Sequence, residues 1–196
     1  MSVFDYGAGN LHSLTKALAL SGAEVRIESD PRTALACDAL VLPGVGAFAP
    51  AAARLDPARD AVRRAIDDGL PCLGICLGMQ LFFDESDEGE GLGLGLIPGR
   101  VTALRARRLP QIGWNTIDAP CDPLLAAAPL RYAYYANGYV CRPLDDRCVR
   151  AWSSHDGDRF PAVVRHGRAV GVQFHPEKSS QAGLALVHAF LEEAAR

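Results

Sequence analysis

One short segment, Gly74-Ile75-Cys76-Leu77-Gly78, limits the folds open to this chain more than any other feature. Residues 70–75 are apolar and predict a buried strand, and residues 77–83 predict the first turns of a helix. Glycines on both sides of the apex let strand and helix approach closely in a sharp turn. The segment therefore predicts a nucleophile elbow with Cys76 at its apex. A buried cysteine in a glycine-rich turn is the alternative interpretation.

Short apolar runs alternate with helical patterns through the first half of the chain, which predicts a parallel sheet covered by helices. Residues 100–173 are mostly strand-like, and residues 180–193 predict a closing helix with an apolar stripe. We therefore expect one α/β domain over residues 1–196, an open mixed sheet with helices on both faces and an antiparallel extension in the second half. The predicted strands of the first half are 3–5, 24–27, 38–42 and 70–75; the predicted helices are 11–20, capped by Asn10, and 56–68.

Composition excludes several classes of protein. The 196 residues are 49% hydrophobic and 22% charged, which argues against disorder, and no apolar run approaches the ~18 residues that span a bilayer. The net charge of −3 and the lack of a basic stripe argue against a nucleic acid or membrane partner. The six cysteines are irregularly spaced and no Cys-x-x-Cys occurs, so we expect a reducing, cytoplasmic location and no metal site. The N-terminus lacks the basic segment of a signal peptide.

A cysteine nucleophile needs a base, and His175 is the strongest candidate among five histidines. It follows an apolar run, and Pro176 biases it to an extended conformation. Residues two apart in extended chain point the same way, so Glu177 can reach the imidazole and fix its tautomer. A polar turn after an edge strand is the alternative. The remaining histidines lie in polar contexts and are interpreted as surface or structural residues: His12, His155, His166 and His188.

The glycine-rich loop Pro43-Gly44-Val45-Gly46 follows another predicted strand. With Ala49 it imitates the dinucleotide-binding pattern G-x-G-x-x-A. That pattern also needs an acidic residue at the end of a second strand, whereas Asp67 and Asp68 lie in a predicted helix. The loop is therefore interpreted as a source of main-chain N–H groups for an oxyanion.

Taken together, these motifs resemble those of the class I glutamine amidotransferases. The narrower resemblance is to the glutaminase subunits of imidazole glycerol phosphate synthases, which act in histidine biosynthesis. It covers nearly the whole chain, in the order of the family. The segments that carry it are 5–11 (DYGAGNL), 43–48 (PGVGAF), 74–80 (GICLGMQ), 110–115 (PQIGWN) and 171–179 (GVQFHPEKS).

The resemblance implies a reaction and a set of site residues. Cys76 would attack the side-chain amide of glutamine, His175 would protonate the departing ammonia and then activate water, and Glu177 would orient His175. The implied oxyanion site comprises Leu77, Val45 and Gly44. The positions implied to bind glutamine are Gly46, Gln80, Glu88, Asn137 and Gly138.

The resemblance also implies a partner. Ammonia would pass through a channel to a separate (β/α)₈ cyclase subunit of a heterodimer, which makes imidazole glycerol phosphate and aminoimidazole carboxamide ribonucleotide. Lys178 and Asn10 are the positions implied to contact that subunit. No cofactor and no metal are expected.

The chain departs from the family pattern at one strand of the implied glutamine pocket. Members usually carry His-Ser or His-Thr where this chain has Asn137-Gly138. A main-chain contact remains available there, but a hydroxyl contact does not. Three alternatives stay open: the glutaminase of another amidotransferase, a hydrolase or peptidase with a cysteine elbow and a similar fold, and a catalytically silent binding module, which the intact Cys76, His175 and Glu177 favour least.

Overall fold

Strands and helices alternate in the first half of the computed structural model, which describes residues 1–7, 11–44 and 46–196. This confirms the alternation that the sequence predicts. The elements are β1 (Ser2–Phe4), α1 (His12–Leu20), β2 (Arg26–Glu28), α2 (Pro31–Ala34), β3 (Leu40–Leu42), α3 (Phe48–Leu55), α4 (Arg59–Asp67), β4 (Cys72–Ile75) and α5 (Leu77–Gln80).

The second half consists mainly of strands and ends in a long helix, as predicted. A short 3₁₀ turn, Pro176–Lys178, lies between the last strand and that helix. The elements are β5 (Glu85–Ser86), β6 (Gly99–Ala103), β7 (Gln111–Thr116), α6 (Pro123–Ala127), β8 (Tyr132–Asn137), β9 (Tyr139–Pro143), β10 (Val149–His155), β11 (Asp158–His166), β12 (Ala169–Val172) and α7 (Ser180–Ala194).

Seven strands form a mixed central sheet in the order β10-β11-β12-β4-β3-β1-β2. The pairs from β12 through β2 are parallel, and β10, β11 and β12 pair antiparallel. The carboxyl ends of β3, β4 and β12 therefore lie side by side at one edge of the sheet. In sheets of this kind, ligands bind beyond that edge.

A hydrophobic core lies on each face of the central sheet. Alternate residues of β3 divide between them: Val41 packs in one core, and Leu40 and Leu42 pack in the other. The first core includes Leu18 of α1 and residues of α7, and the second includes Phe48 of α3 and residues of α4. This arrangement confirms the predicted sheet with helices on both faces.

The structure corrects several predicted boundaries. The strands predicted over 24–27, 38–42 and 70–75 begin later, and β1 begins at Ser2. Helix α5 ends at Gln80 instead of continuing to residue 83. Helix α1 begins at His12, where Leu11 occupies the N-cap position without a side-chain hydrogen bond, and the predicted cap Asn10 lies outside the described residues.

The predicted elements lack helix α3, because the motif over residues 43–49 predicts only a glycine-rich loop. Its buried residues Phe48, Ala51, Ala52 and Leu55 have the spacing of one helical face. The hydrophobic period therefore contained the signal. Within the described ranges, no helix is both long enough and apolar enough to cross a membrane.

Candidate active site

Cys76 lies at the turn between β4 and α5, with φ 48° and ψ −101°. A positive φ is rare for a residue with a side chain, and such strain is typical of functional positions. A Cβ on Gly74 would lie 2.7 Å from the carbonyl carbon of Gly78, and a Cβ on Gly78 would collide with the carbonyl of Leu42. Both flanking glycines are thus required by close packing, as the elbow motif predicts.

His175 and Glu177 form a hydrogen-bonded pair just after β12, the strand that pairs with β4. His175 Nδ1 lies 2.9 Å from Glu177 Oε1, and both side chains are buried. The predicted contact between Glu177 and His175 is therefore present, although Pro176–Lys178 forms a 3₁₀ turn instead of the extended chain that the sequence predicts. Because the carboxylate accepts a hydrogen bond from Nδ1–H, Nε2 is the nitrogen left for chemistry.

Two opposing effects act on His175. Burial lowers the pKa of the imidazole, because desolvation disfavours the charged ring. Hydrogen bonding and charge attraction from Cys76 and Glu177 outweigh burial and raise the pKa of His175 to about 9. The ring therefore holds its proton at neutral pH, beside the sulfur of Cys76.

The loop after β3 reaches the same place. A Cβ on Gly44 would lie 2.9 Å from the Ile75 carbonyl oxygen, 3.0 Å from Cys76 Cβ and 3.1 Å from His175 Cε1. Gly44 thus lies directly against the cysteine and the histidine. Gly46 is exposed with φ 106°, and Val45 lies outside the described residues.

Leu77, the other residue expected to serve an oxyanion, is the first residue of α5. An N–H in the first turn of a helix has no carbonyl of its own helix to bind. The positive end of the helix dipole also lies there. The Leu77 N–H is therefore suited to donate a hydrogen bond to an oxyanion that develops on a group bound at Cys76.

Two of the residues expected to bind glutamine converge on one carbonyl group. Gln80 Nε2 donates to the Tyr139 carbonyl at 3.2 Å, and Asn137 Nδ2 donates to the same oxygen at 3.1 Å. The Asn137 side-chain oxygen is buried without a hydrogen-bond partner. The carbonyl of Gly138 accepts from the Leu104 N–H at 2.9 Å, so this main-chain group already has a partner.

Glu88 is bound to the start of α3. Its Oε2 accepts from the Phe48 N–H at 2.9 Å, across 40 residues of sequence. A carboxylate at this position satisfies a free N–H and interacts favourably with the helix dipole. Glu88 thus fixes the helix that follows the Gly44–Gly46 loop.

Lys178 is exposed, and its amine lies 5.9 Å from the centre of the Tyr134 ring. The other residue expected to contact a partner, Asn10, lies outside the described residues.

The hairpin formed by β7 and β8 exposes an apolar surface beside Lys178. Cross-strand register places Trp114 opposite Tyr134, and their rings meet edge to face. Ile112 is 68% exposed, Trp114 55% and Tyr132 60%. We call Ile112, Trp114, Tyr132 and Tyr134 the outer hairpin face. Exposed apolar side chains grouped in this way are typical of a protein-binding surface.

Sequence reasoning missed one side chain that contacts the nucleophile. Gln173 is fully buried, and its Nε2 lies 3.5 Å from Cys76 Sγ. It stands two residues before His175, so period-two spacing could have placed both on the same side. Ser179, whose hydroxyl donates to the His175 carbonyl at 2.7 Å, was also missed.

The remaining candidates for chemistry are free thiols, surface histidines and possible metal ligands. All six cysteines are free thiols. His166 pairs with Asp67, and His188 pairs with Glu192, both at the surface. In the ranges 1–7, 11–44 and 46–196, no group of three or more His, Cys, Asp and Glu side chains is arranged to hold a metal ion.

The chain is similar in sequence to known glutamine amidotransferases. The family model described as glutamine amidotransferase class-I matches residues 2–194. Two relatives carry the name imidazole glycerol phosphate synthase subunit HisH. The protein from Synechococcus sp. (strain JA-3-3Ab) is 41% identical, with 100% of this chain and 94% of its own length covered. The protein from Halobacterium salinarum is 42% identical, with 97% and 91% covered.

Solved structures share the fold at lower identity. A structure titled as a glutamine amidotransferase is similar with a TM-score of 0.76 and 22% identity, covering 100% of this chain and 98% of that one. The glutaminase domain of Trypanosoma brucei CTPS has a TM-score of 0.71 and 16% identity, covering 99% and 92%.

Proposed function

This chain belongs to the class I glutamine amidotransferase family, and on that premise we propose that it is the glutaminase subunit of an imidazole glycerol phosphate synthase in histidine biosynthesis. It hydrolyses glutamine to glutamate and ammonia. The observation that carries the proposal is the buried Cys76, His175 and Glu177 set, brought together at one edge of the central sheet.

The first half of the reaction forms a thioester. The Cys76 thiolate attacks the carbonyl carbon of the glutamine side-chain amide, and the carbonyl oxygen becomes an oxyanion. The Leu77 N–H and a main-chain N–H of the Gly44–Gly46 loop stabilise that charge. His175 Nε2 gives its proton to the amide nitrogen, the C–N bond breaks and ammonia leaves.

The second half regenerates the thiolate. Neutral His175 takes a proton from water, whose oxygen attacks the thioester carbon. The C–S bond then breaks, glutamate leaves and Cys76 is again a thiolate paired with the imidazolium. Glu177 accepts a hydrogen bond from His175 Nδ1–H throughout, so the ring keeps one orientation in both halves of the reaction. One water is consumed and one ammonia released in each cycle.

Residues around the triad would bind the substrate. Gln80, Asn137 and Gly138 lie together beside the Tyr139 carbonyl, and Gly46 and Glu88 lie on the side of the α3 helix. We assign them to the glutamine pocket. The side chains of Gln80 and Asn137 are buried, so glutamine binding requires them to exchange partners or to act as fixed walls.

The ammonia acceptor would be a (β/α)₈ cyclase subunit bound to the outer hairpin face. The aromatic and apolar side chains there are exposed in the single chain, and Lys178 adds a cation at the rim. Lys178 would meet an acidic group of the cyclase, and Asn10 is assigned to the same interface on the resemblance alone. One amidotransferase domain over residues 1–196 accounts for the chain's part in this complex.

Replacement of Cys76 by alanine tests the proposal. With the cyclase present, the Cys76→Ala variant should lose glutamine-dependent synthesis and keep synthesis from added ammonium, because the cyclisation occurs on the other chain. Product formation with each nitrogen source is the measurement. A folded complex that uses neither source, or a variant that still uses glutamine, would contradict the assignment. A peptidase or simple hydrolase would give no cyclase-dependent product at all.

A further inference from the structure

Three hydrogen bonds join the catalytic histidine to strand β8. The His175 N–H donates to the Tyr134 carbonyl at 2.8 Å. The Tyr134 N–H donates to Ser179 Oγ at 2.9 Å, and the Ser179 hydroxyl donates to the His175 carbonyl at 2.7 Å. Both main-chain groups of Tyr134 are thus used to hold the histidine segment, and one hydroxyl closes the ring.

The Ser179 side chain is confined on its other side by helix α7. Ser179 is 1% exposed. A Cβ on Gly183 would lie 2.7 Å from Ser179 Cβ and would collide with the Pro176 carbonyl. The segment from His175 to Ser179 is therefore packed between β8 and the first turn of α7, and the Ser179 hydroxyl has little freedom to find other partners.

We propose that Ser179 is a positioning residue for His175, whose hydroxyl fixes the imidazole against Cys76 by tying the histidine main chain to β8; the proposal rests on the function assigned above. Displacements of about 1 Å in a catalytic group can lower a rate about 100-fold. Tyr134 also belongs to the outer hairpin face, so a protein that binds there contacts the strand that holds the histidine.

Three variants test this role in the full chain with its cyclase partner. Ser179→Ala removes both bonds of the hydroxyl, and Ser179→Thr keeps a hydroxyl. Ser153→Ala is the matched control, because Ser153 is equally buried and its hydroxyl donates to the Thr116 carbonyl of the same hairpin at 2.9 Å. It removes a similar tether of the hairpin that does not reach His175.

We expect Ser179→Ala to lower kcat for glutamine about 10- to 100-fold while KM changes by less than about threefold. NMR titration of the His175 imidazole in the free chain should show its pKa moving from about 9 toward the ordinary value. Ser179→Thr, which keeps the hydroxyl but adds a methyl group, should lose less kcat than Ser179→Ala. Ser153→Ala should lower the melting temperature as Ser179→Ala does but leave kcat and the titration unchanged.

The role is refuted if folded Ser179→Ala keeps the wild-type kcat and titration, or if Ser153→Ala changes them equally. If Ser179→Ala does not fold, Ser179→Cys fills the same volume with a weak donor and should show the same loss. If the wild-type complex releases no ammonia from glutamine, the proposed function fails, whereas the imidazole titration still decides the positioning role.

Discussion

Replacing Glu177 by glutamine separates the charge of the carboxylate from its shape. The amide oxygen can still accept a hydrogen bond from His175 Nδ1–H, whose nitrogen lies 2.9 Å from Glu177 Oε1 in the wild type. The second carboxylate oxygen is buried without a partner, so the amide group replaces one unpaired atom by another. The substitution therefore removes the negative charge with little change in packing.

The expected size of the effect follows from the titration of His175. Its pKa is raised to about 9, and a neighbouring carboxylate commonly accounts for about 1–3 pH units of such a rise. We expect the Glu177→Gln variant to titrate near pH 7, a change of about 3 kcal/mol in the relative stability of the charged ring. At pH 8 the protonated fraction would then fall about tenfold, whereas at pH 6 it would hardly change.

The pH dependence of kcat/KM is the measurement, because it reports the pKa of groups in the free enzyme. The alkaline limb should move from about pH 9 to about pH 7 in Glu177→Gln. The Glu192→Gln variant is the control, since Glu192 also pairs with a histidine, His188, but at the surface. An unchanged alkaline limb in folded Glu177→Gln, or an equal displacement in the control, would refute the reasoning.

The same charge predicts a change in stability. The pKa of His175 is higher in the folded chain than in the unfolded chain, so its contribution is fully present below about pH 6.5 and is lost as pH rises through about 9. Urea unfolding at pH 6 should find the wild type more stable than Glu177→Gln by about 3 kcal/mol. At pH 10 that advantage should disappear.

Three further predictions concern the loop, the strand and the surface. Gly44→Ala should lower kcat at least about tenfold while the circular dichroism spectrum is unchanged. The new Cβ would lie only 3.0 Å from Cys76 Cβ and would push the triad apart. Full activity of the variant would contradict the close approach of Gly44 to Cys76. Gly138→Ser should change KM for glutamine by less than about tenfold, or ~1.4 kcal/mol, because a Cβ on Gly138 would meet only Pro110 Cβ, at 3.9 Å; a larger gain of affinity in steady-state kinetics would contradict this. The isolated chain should hydrolyse glutamine slowly and be activated by the cyclase with its nucleotide; equal turnover with and without the partner would contradict this activation. Lys178→Ala should weaken the activation more than it weakens glutamine binding.

The sequence predicted best the features that depend on local periodicity and on steric necessity. The Gly74–Gly78 elbow follows from a tight turn. The His175–Glu177 contact follows from a separation of two residues, although Glu177 lies in a 3₁₀ turn and not in extended chain. The alternation of apolar runs similarly indicated the sheet and its two faces. Each of these features depends on residues close together in the sequence, so each can be predicted without knowledge of the fold.

Contacts between distant segments could not be predicted in the same way. Glu88 lies in a run of acidic residues, and only the fold shows that it binds the Phe48 N–H. The bonds of Ser179 to Tyr134 and His175 depend on the packing of β8 and α7, which no local pattern specifies. Helix α3 was missed for a different reason: the glycine-rich loop motif extends to Ala49 and overlaps the helical period, which begins at Phe48.

The burial of Cys76 has a consequence for the chemistry of the thiols as a group. Its 7% exposure contrasts with the exposed Cys121. Bulky electrophiles and oxidised glutathione would therefore modify Cys121 first, while a small amide-like reagent shaped for the glutamine pocket would select Cys76. The number of thiols modified is thus a poor measure of how much glutaminase activity is lost. The size of a reagent, more than its reactivity, decides which cysteine it modifies.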